Sequence, residues 1–294
     1  MTKLADKISQ SRLLLCNQYA YLDETGGYSA LPLSSDSGNE MISKSRKVLQ
    51  DPYAYLDEFG GFSADTSNAK KNGGYTLLEI EERARRLQIR MWQDRANLWP
   101  ITTPTHPIEI LDPTIALKLI GYDSELEETL GQFYSDGKLV EVAGIIDGQS
   151  KRVKVSRQFE LNIRSFTAAH ELGHALLHET GRMHRDRPIN GETISRSTIE
   201  FEADKFATYF LMPRKLVQAI FRRFFLTDKF ALNEATAFAL GLSTQEAKTN
   251  RQLSRLLASA EQYNGLQFKS LASQFKVSTE AMAIRLEELE LLAI

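Results

Sequence analysis

The sequence predicts an α+β fold, mostly helical, with a small antiparallel sheet beside the helices. Two observations carry this. From residue 160 onward, apolar side chains recur at helical spacing in almost every segment. Strand-like patterns, by contrast, gather at Lys138 to Ile146 and Arg152 to Ser156, on either side of the turn residues Asp147-Gly148-Gln149. Helices with one hairpin make a layered α+β arrangement.

The 294 residues, 42% of them hydrophobic, suffice for one substantial domain plus an appendage or for two modest ones. With 36 basic and 38 acidic residues the net charge is -2, which gives no global reason to expect nucleic acid or an acidic membrane as partner. The single cysteine, Cys16, excludes an intramolecular disulfide and a thiolate metal site, so metal chemistry must use histidines and carboxylates. The first residues lack a signal peptide's apolar run, and no apolar stretch of about 18 residues occurs, so a cytoplasmic protein without membrane contact is expected.

The N-terminal third holds an internal repeat. SRLLLCNQYAYLDETGGYSA (Ser11 to Ala30) returns as SRKVLQDPYAYLDEFGGFSA (Ser45 to Ala64), with Ser-, Asp-, Gly- and Asn-rich stretches between and after the copies. Two copies are too few for a solenoid. Residues 1–74 are therefore expected to form a flexible arm bearing two recognition motifs, the plainer alternative being a duplicated hairpin or helix-turn packed on the body. Tyr75 to Leu98 has the charge and apolar spacing of an amphipathic helix, ended near Pro100 and Pro104, and 75–106 is expected as a helical linker. A core at 107–220 follows, with helices at Asp112 to Ile120, Arg164 to His178 and Ser197 to Leu211, the last stopped by Pro213. A helical region at 221–294 completes the chain.

The chemistry concentrates in His170-Glu171-Leu172-Gly173-His174. Two histidines four residues apart share one helix face, and their ring nitrogens can reach one Zn²⁺ at about 2.0–2.1 Å. Glu171 projects beside them, where it can take a proton from the attacking water and deliver it to a leaving amine. Phe166, Ala169, Leu172, Leu176 and Leu177 supply the apolar faces of a buried helix, and Gly173 lets a neighbouring backbone approach.

A hydrolytic zinc site needs a third protein ligand and an open position. Glu200 is the leading candidate, with Asp204 one turn later placed to orient a ligand histidine. Glu202 points about 200° away around the helix and is the weaker choice. His178 lies about 12 Å along the axis from His170, too far to share its ion, and is expected as a supporting, substrate-facing or helix-end residue. His106 and His184 are expected on the surface or in loops. His178 and Tyr209 are candidates for an oxyanion or substrate contact. The plainer reading is a buried helix with satisfied histidines, against which stands the second acidic pair downstream.

Phe166 to His178, followed by Glu200-Phe201-Glu202-Ala203-Asp204-Lys205-Phe206-Ala207 and Leu211-Met212-Pro213, resembles the ImmA/IrrE family of metallopeptidases. The resemblance spans roughly Pro107 to the C-terminus. It implies a zincin-like metallopeptidase core, His170, His174 and Glu200 as ligands of one Zn²⁺, and Glu171 as catalytic acid/base. Where many members carry Asn, this chain has Asp204. The family implies a helix-turn-helix transcriptional repressor as protein substrate, in stress response or mobile-element transfer.

Phe268 to Leu286 reads as two helices joined at Lys276-Val277-Ser278, with Ser278 as cap, similar to the helix-turn-helix-like segment of family members. Thr279 to Leu292 offers one Arg and four Glu, so a packing or partner-binding unit is expected over direct DNA binding. The competing function is a regulatory protein- or DNA-binding factor with a structural, non-catalytic zinc site. Intact Glu171 favours the enzyme, because a structural site needs ligands and no base.

Overall fold

Thr76 starts the first helix, α1 (Leu77–Gln93), through a reciprocal cap: its hydroxyl accepts from the Glu79 N–H at 3.2 Å, and the Glu79 carboxylate accepts from the Thr76 N–H at 2.8 Å. The computed structural model describes residues 74–135, 138–178, 184–185, 198–241 and 249–293. The duplicated N-terminal segments lie outside them. The helix expected as a linker does more than connect, since Ile80, Ala84, Leu87 and Met91 are buried in the core. A short helix, α2 (Arg95–Leu98), a 3-10 turn (Pro107–Ile110) and α3 (Pro113–Leu119) follow. Asp112 caps α3 by accepting from the Thr114 N–H at 2.9 Å.

The sheet contains β1 (Asp123–Glu127), β4 (Gly144–Asp147), β5 (Arg152–Ser156) and β6 (His184–Arg185) in the order β1-β5-β4-β6. The expected β4–β5 hairpin is antiparallel, and its turn closes where Asp147 accepts from the Gln149 and Ser150 N–H groups at 2.9 and 3.3 Å. Two features differ from expectation. The stretch read as one strand from Lys138 to Ile146 is two, because the chain changes partners at Val142-Ala143. Val142 donates to the Gly131 carbonyl at 2.9 Å on one side, and the Ala143 carbonyl accepts from the Ser156 N–H at 2.9 Å on the other. What precedes that switch is β3 (Lys138–Glu141), paired with β2 (Gln132–Ser135) in a hairpin of its own. In addition, β1 joins β5 in parallel, so the sheet is mixed at one edge.

Helices α4 (Leu161–Leu177) and α5 (Thr198–Leu211) form the centre, and α6 (Arg214–Phe225) follows Pro213. Beyond them come β7 (Phe230–Ala231), α7 (Glu234–Leu240), α8 (Asn250–Ser259), the hairpin β8 (Gln262–Tyr263) and β9 (Leu266–Gln267), α9 (Leu271–Gln274), α10 (Thr279–Glu288) and β10 (Leu292–Ala293). β10 pairs with β7. Between α9 and α10, Lys276 turns the chain with φ 55°, and Ser278 caps α10 by accepting from the Ala281 N–H at 3.1 Å. Among the described residues no helix is long and apolar enough to cross a membrane.

α10 is tied to α5 by Arg285, which is 1% exposed. Its Nε donates to the Met212 carbonyl at 3.1 Å, it pairs with Glu288 at 3.1 Å, and its guanidinium lies 4.8 Å from the centre of the Tyr209 ring. Removing it strips a charge from a buried network whose acidic members keep some solvent contact. Arg285→Ala is therefore expected to lower the unfolding free energy by about 2–4 kcal/mol in urea titration. Arg222→Ala, at a residue whose side chain is 63% exposed, should change it by no more than about 0.5 kcal/mol. Equal effects of the two would remove Arg285 as a strut.

Candidate metal centre

The site begins with a close helix crossing. A Cβ placed on Gly173 would lie 3.0 Å from both the Cα and the carbonyl oxygen of Ala203, so α4 and α5 approach backbone to backbone there. One turn before Gly173 on α4 is His170, and the next residue is His174. Across the crossing, Glu200 and Asp204 project from α5 at the same four-residue spacing.

This brings His170, His174 and Glu200 together, with one ligand atom of each within 4.8 Å of the others. The Nε2 atoms of the two histidines are 2.9 Å apart, and Glu200 oxygens stand 3.3 Å from His170 Nε2 and 3.6 Å from His174 Nε2. A tetrahedral ion with bonds of about 2.0–2.1 Å holds its ligand atoms roughly 3.3 Å apart. The donor triangle thus fits such an ion with adjustments of a few tenths of an ångström. Asp204 Oδ1 lies 2.8 Å from His170 Nδ1, which makes that nitrogen the donor and leaves the Nε2 lone pair facing the cluster. Both imidazoles are buried, whereas the Glu200 side chain is 35% exposed, so the cluster opens to solvent past Glu200. His170 and then His174, with their Nε2 atoms beside it, hold the Glu200 carboxyl well below the usual carboxylate range.

A family model described as "IrrE N-terminal-like domain" (Peptidase_M78) matches residues 126–249, which contain both site helices. Over these residues the chain has an IrrE/Peptidase_M78-like domain. No curated protein matches the chain. The peptidase domain and its cluster of metal-binding side chains together support metallopeptidase activity.

The remaining candidate residues separate by direction. Glu171 is buried against β4, where an added Cβ on Gly144 would lie 2.9 Å from its Oε1. Glu202 turns away from the cluster: its Oε1 accepts from the Tyr75 N–H at 2.6 Å and its Oε2 lies 3.6 Å from His178 Nε2. His178 ends α4 in extended conformation, packs its ring 5.5 Å from that of His174, and faces Glu202. Its place is therefore at the helix end, outside the ligand set. Tyr209, nine residues along α5 from Glu200, points about 180° away from it and packs beneath Arg285 in the core. His106 caps the 3-10 turn and stands apart from the cluster; the His184 side chain lies outside the described residues. Sequence reading missed Gly144, whose role depends on a strand distant in sequence from α4.

If Asp204 sets the His170 tautomer, Asp204→Asn should weaken divalent-metal binding about 10–100-fold in competition titrations. Glu200→Ala should abolish stoichiometric binding. Retention of full affinity by Glu200→Ala would remove the triad as the metal centre.

Proposed function

We propose that the protein is a zinc-dependent endopeptidase that hydrolyses a peptide bond in a protein substrate. The observation that carries the proposal is the placement of Glu171 on the helix of His170 and His174, with Glu200 completing a three-donor set from a second helix. Two imidazoles and one carboxylate suit zinc. Zinc held there supplies a Lewis acid that polarises the scissile carbonyl and acidifies water at the site. Glu171 takes the proton of the attacking water and passes it to the leaving amine. Asp204 holds the His170 ring in orientation. The solvent-facing side at Glu200 is the route by which an extended peptide enters.

By family likeness the substrate is a helix-turn-helix repressor, the core is zincin-like, and the protein acts in the cytoplasm. On this reading 1–74 is an arm, 107–220 the catalytic core with 75–106 leading into it, and 221–294 a helix-turn-helix-like appendage. The burial of Arg285, the one arginine of α10, leaves that helix without an arginine for base edges and supports packing or partner binding over DNA contact.

The test is Glu171→Gln. It should keep one zinc per chain and lower cleavage of a co-purified candidate repressor by about 10²–10⁴-fold. Undiminished cleavage by this variant would sink the catalytic reading.

A further inference from the structure

Gly144 opens β4 with ordinary extended backbone, since its φ is not among the positive values that glycine alone tolerates. Conformation therefore does not explain a glycine at this position. Space does. A Cβ there would lie 2.5 Å from Thr167 Cγ2, 2.9 Å from Glu171 Oε1 and 3.4 Å from Glu171 Cγ. Thr167 and Glu171 are one turn apart on α4, and both are buried. On the strand, Gly144 and Ile146 face inward and are buried, while Ile145 and Asp147 face the other way, so the missing side chain is one that would point at α4. Gly144 is also held alongside by its pairing with Val155 of β5, so the strand does not shift alone.

We infer that Gly144 is the positioning residue for Glu171: its bare Cα sets where the carboxylate rests, independently of how the ion is held. This rests on the peptidase reading above. Of the two side chains a Cβ would meet, Thr167 is β-branched and stiff about χ1, whereas Glu171 is long and has further torsions to yield. A substituted strand therefore displaces the carboxylate first. Metal affinity depends on different contacts, those of Gly173 with Ala203 and of Asp204 with His170.

The experiment uses the full chain loaded with zinc, titrated with acetohydroxamic acid. This small chelator binds the ion and needs a correctly placed carboxylate to accept its hydroxyl proton. Wild type, Gly144→Ala, Gly144→Ala with Thr167→Ser, Gly173→Ala and Glu171→Gln are compared for zinc affinity and for hydroxamate affinity. Gly144→Ala should keep wild-type zinc affinity and bind hydroxamate about 10-fold more weakly, in line with a lost hydrogen bond to a charged group. Adding Thr167→Ser, which removes the methyl nearest the new Cβ, should recover part of that loss. Gly173→Ala should show the opposite pattern, with zinc affinity lowered. Equal hydroxamate affinity in Gly144→Ala and wild type overturns the inference, and so does loss of zinc by Gly144→Ala, which would make Gly144 a general packing residue. A wild type that binds neither zinc nor hydroxamate instead overturns the peptidase reading itself.

Discussion

The contact of Gly173 with Ala203 is the constraint on which the rest of the site depends. Three ligand atoms within a few ångströms of one another cannot come from one helix, because the next residue on the same face after His174 lies a further turn away. Two of them must come from α4 and the third from a helix close enough to share the ion. A side chain at Gly173 would push α5 outward, and Glu200 would recede with it. The same closeness lets Asp204 reach the far nitrogen of His170, so one crossing sets both the donor triangle and the tautomer that aims one of its lone pairs.

α5 has to stay in place for this to work, and the chain secures its C-terminal end with side chains from two distant segments. Pro213 cannot donate to the Tyr209 carbonyl four residues back, which would leave that oxygen without its helical partner. Gln88 of α1 fills the gap, donating to the Tyr209 and Phe210 carbonyls at 3.1 and 2.9 Å, and Arg285 of α10 donates to the Met212 carbonyl. The terminus of the ligand-bearing helix is thus closed by the amide of one neighbour and the guanidinium of another. Glu202, on a third side, holds the start of α1 through the Tyr75 N–H. Three acidic residues within five positions of α5 have different uses, and helical angle decides which: Glu200 and Asp204 face α4, whereas Glu202 faces α1.

That angular logic is why much of the centre was legible in the sequence. A four-residue spacing on each of two helices needs no tertiary information, and the choice of Glu200 over Glu202 required only the helical pitch. What could not be read depended on contacts between distant segments. The charged strand Asp123–Glu127 has no apolar alternation, because as an edge strand it is half solvated, and charge there also discourages further pairing. The division of 138–146 into two strands follows from a change of hydrogen-bond partner, which alternation of side chains does not encode. Tyr209 looked available because it follows the acidic cluster closely, yet its direction around α5 sends it to the Arg285 side. The helix at 77–93 looked like a linker because its surface is heavily charged, and its narrow apolar stripe is what packs it into the core.

The two glycines divide the labour of the centre between two kinds of contact. A helix crossing at Gly173 governs the spacing of the ligand-bearing helices, and a strand pressed on a helix at Gly144 bears on where Glu171, the proposed proton acceptor, rests. Glu171 could not be placed by α4 alone, since a glutamate has three torsions and a helix constrains mainly the first. Something outside the helix must limit the others. In this fold the limit comes from the backbone of β4, which is stiffened by β5 beside it and reaches the carboxylate only because the strand carries no side chain at that point. The small sheet is therefore more than a cover for the hydrophobic face of α4, because its first inward position in β4 bears directly on Glu171, the residue proposed to move the proton.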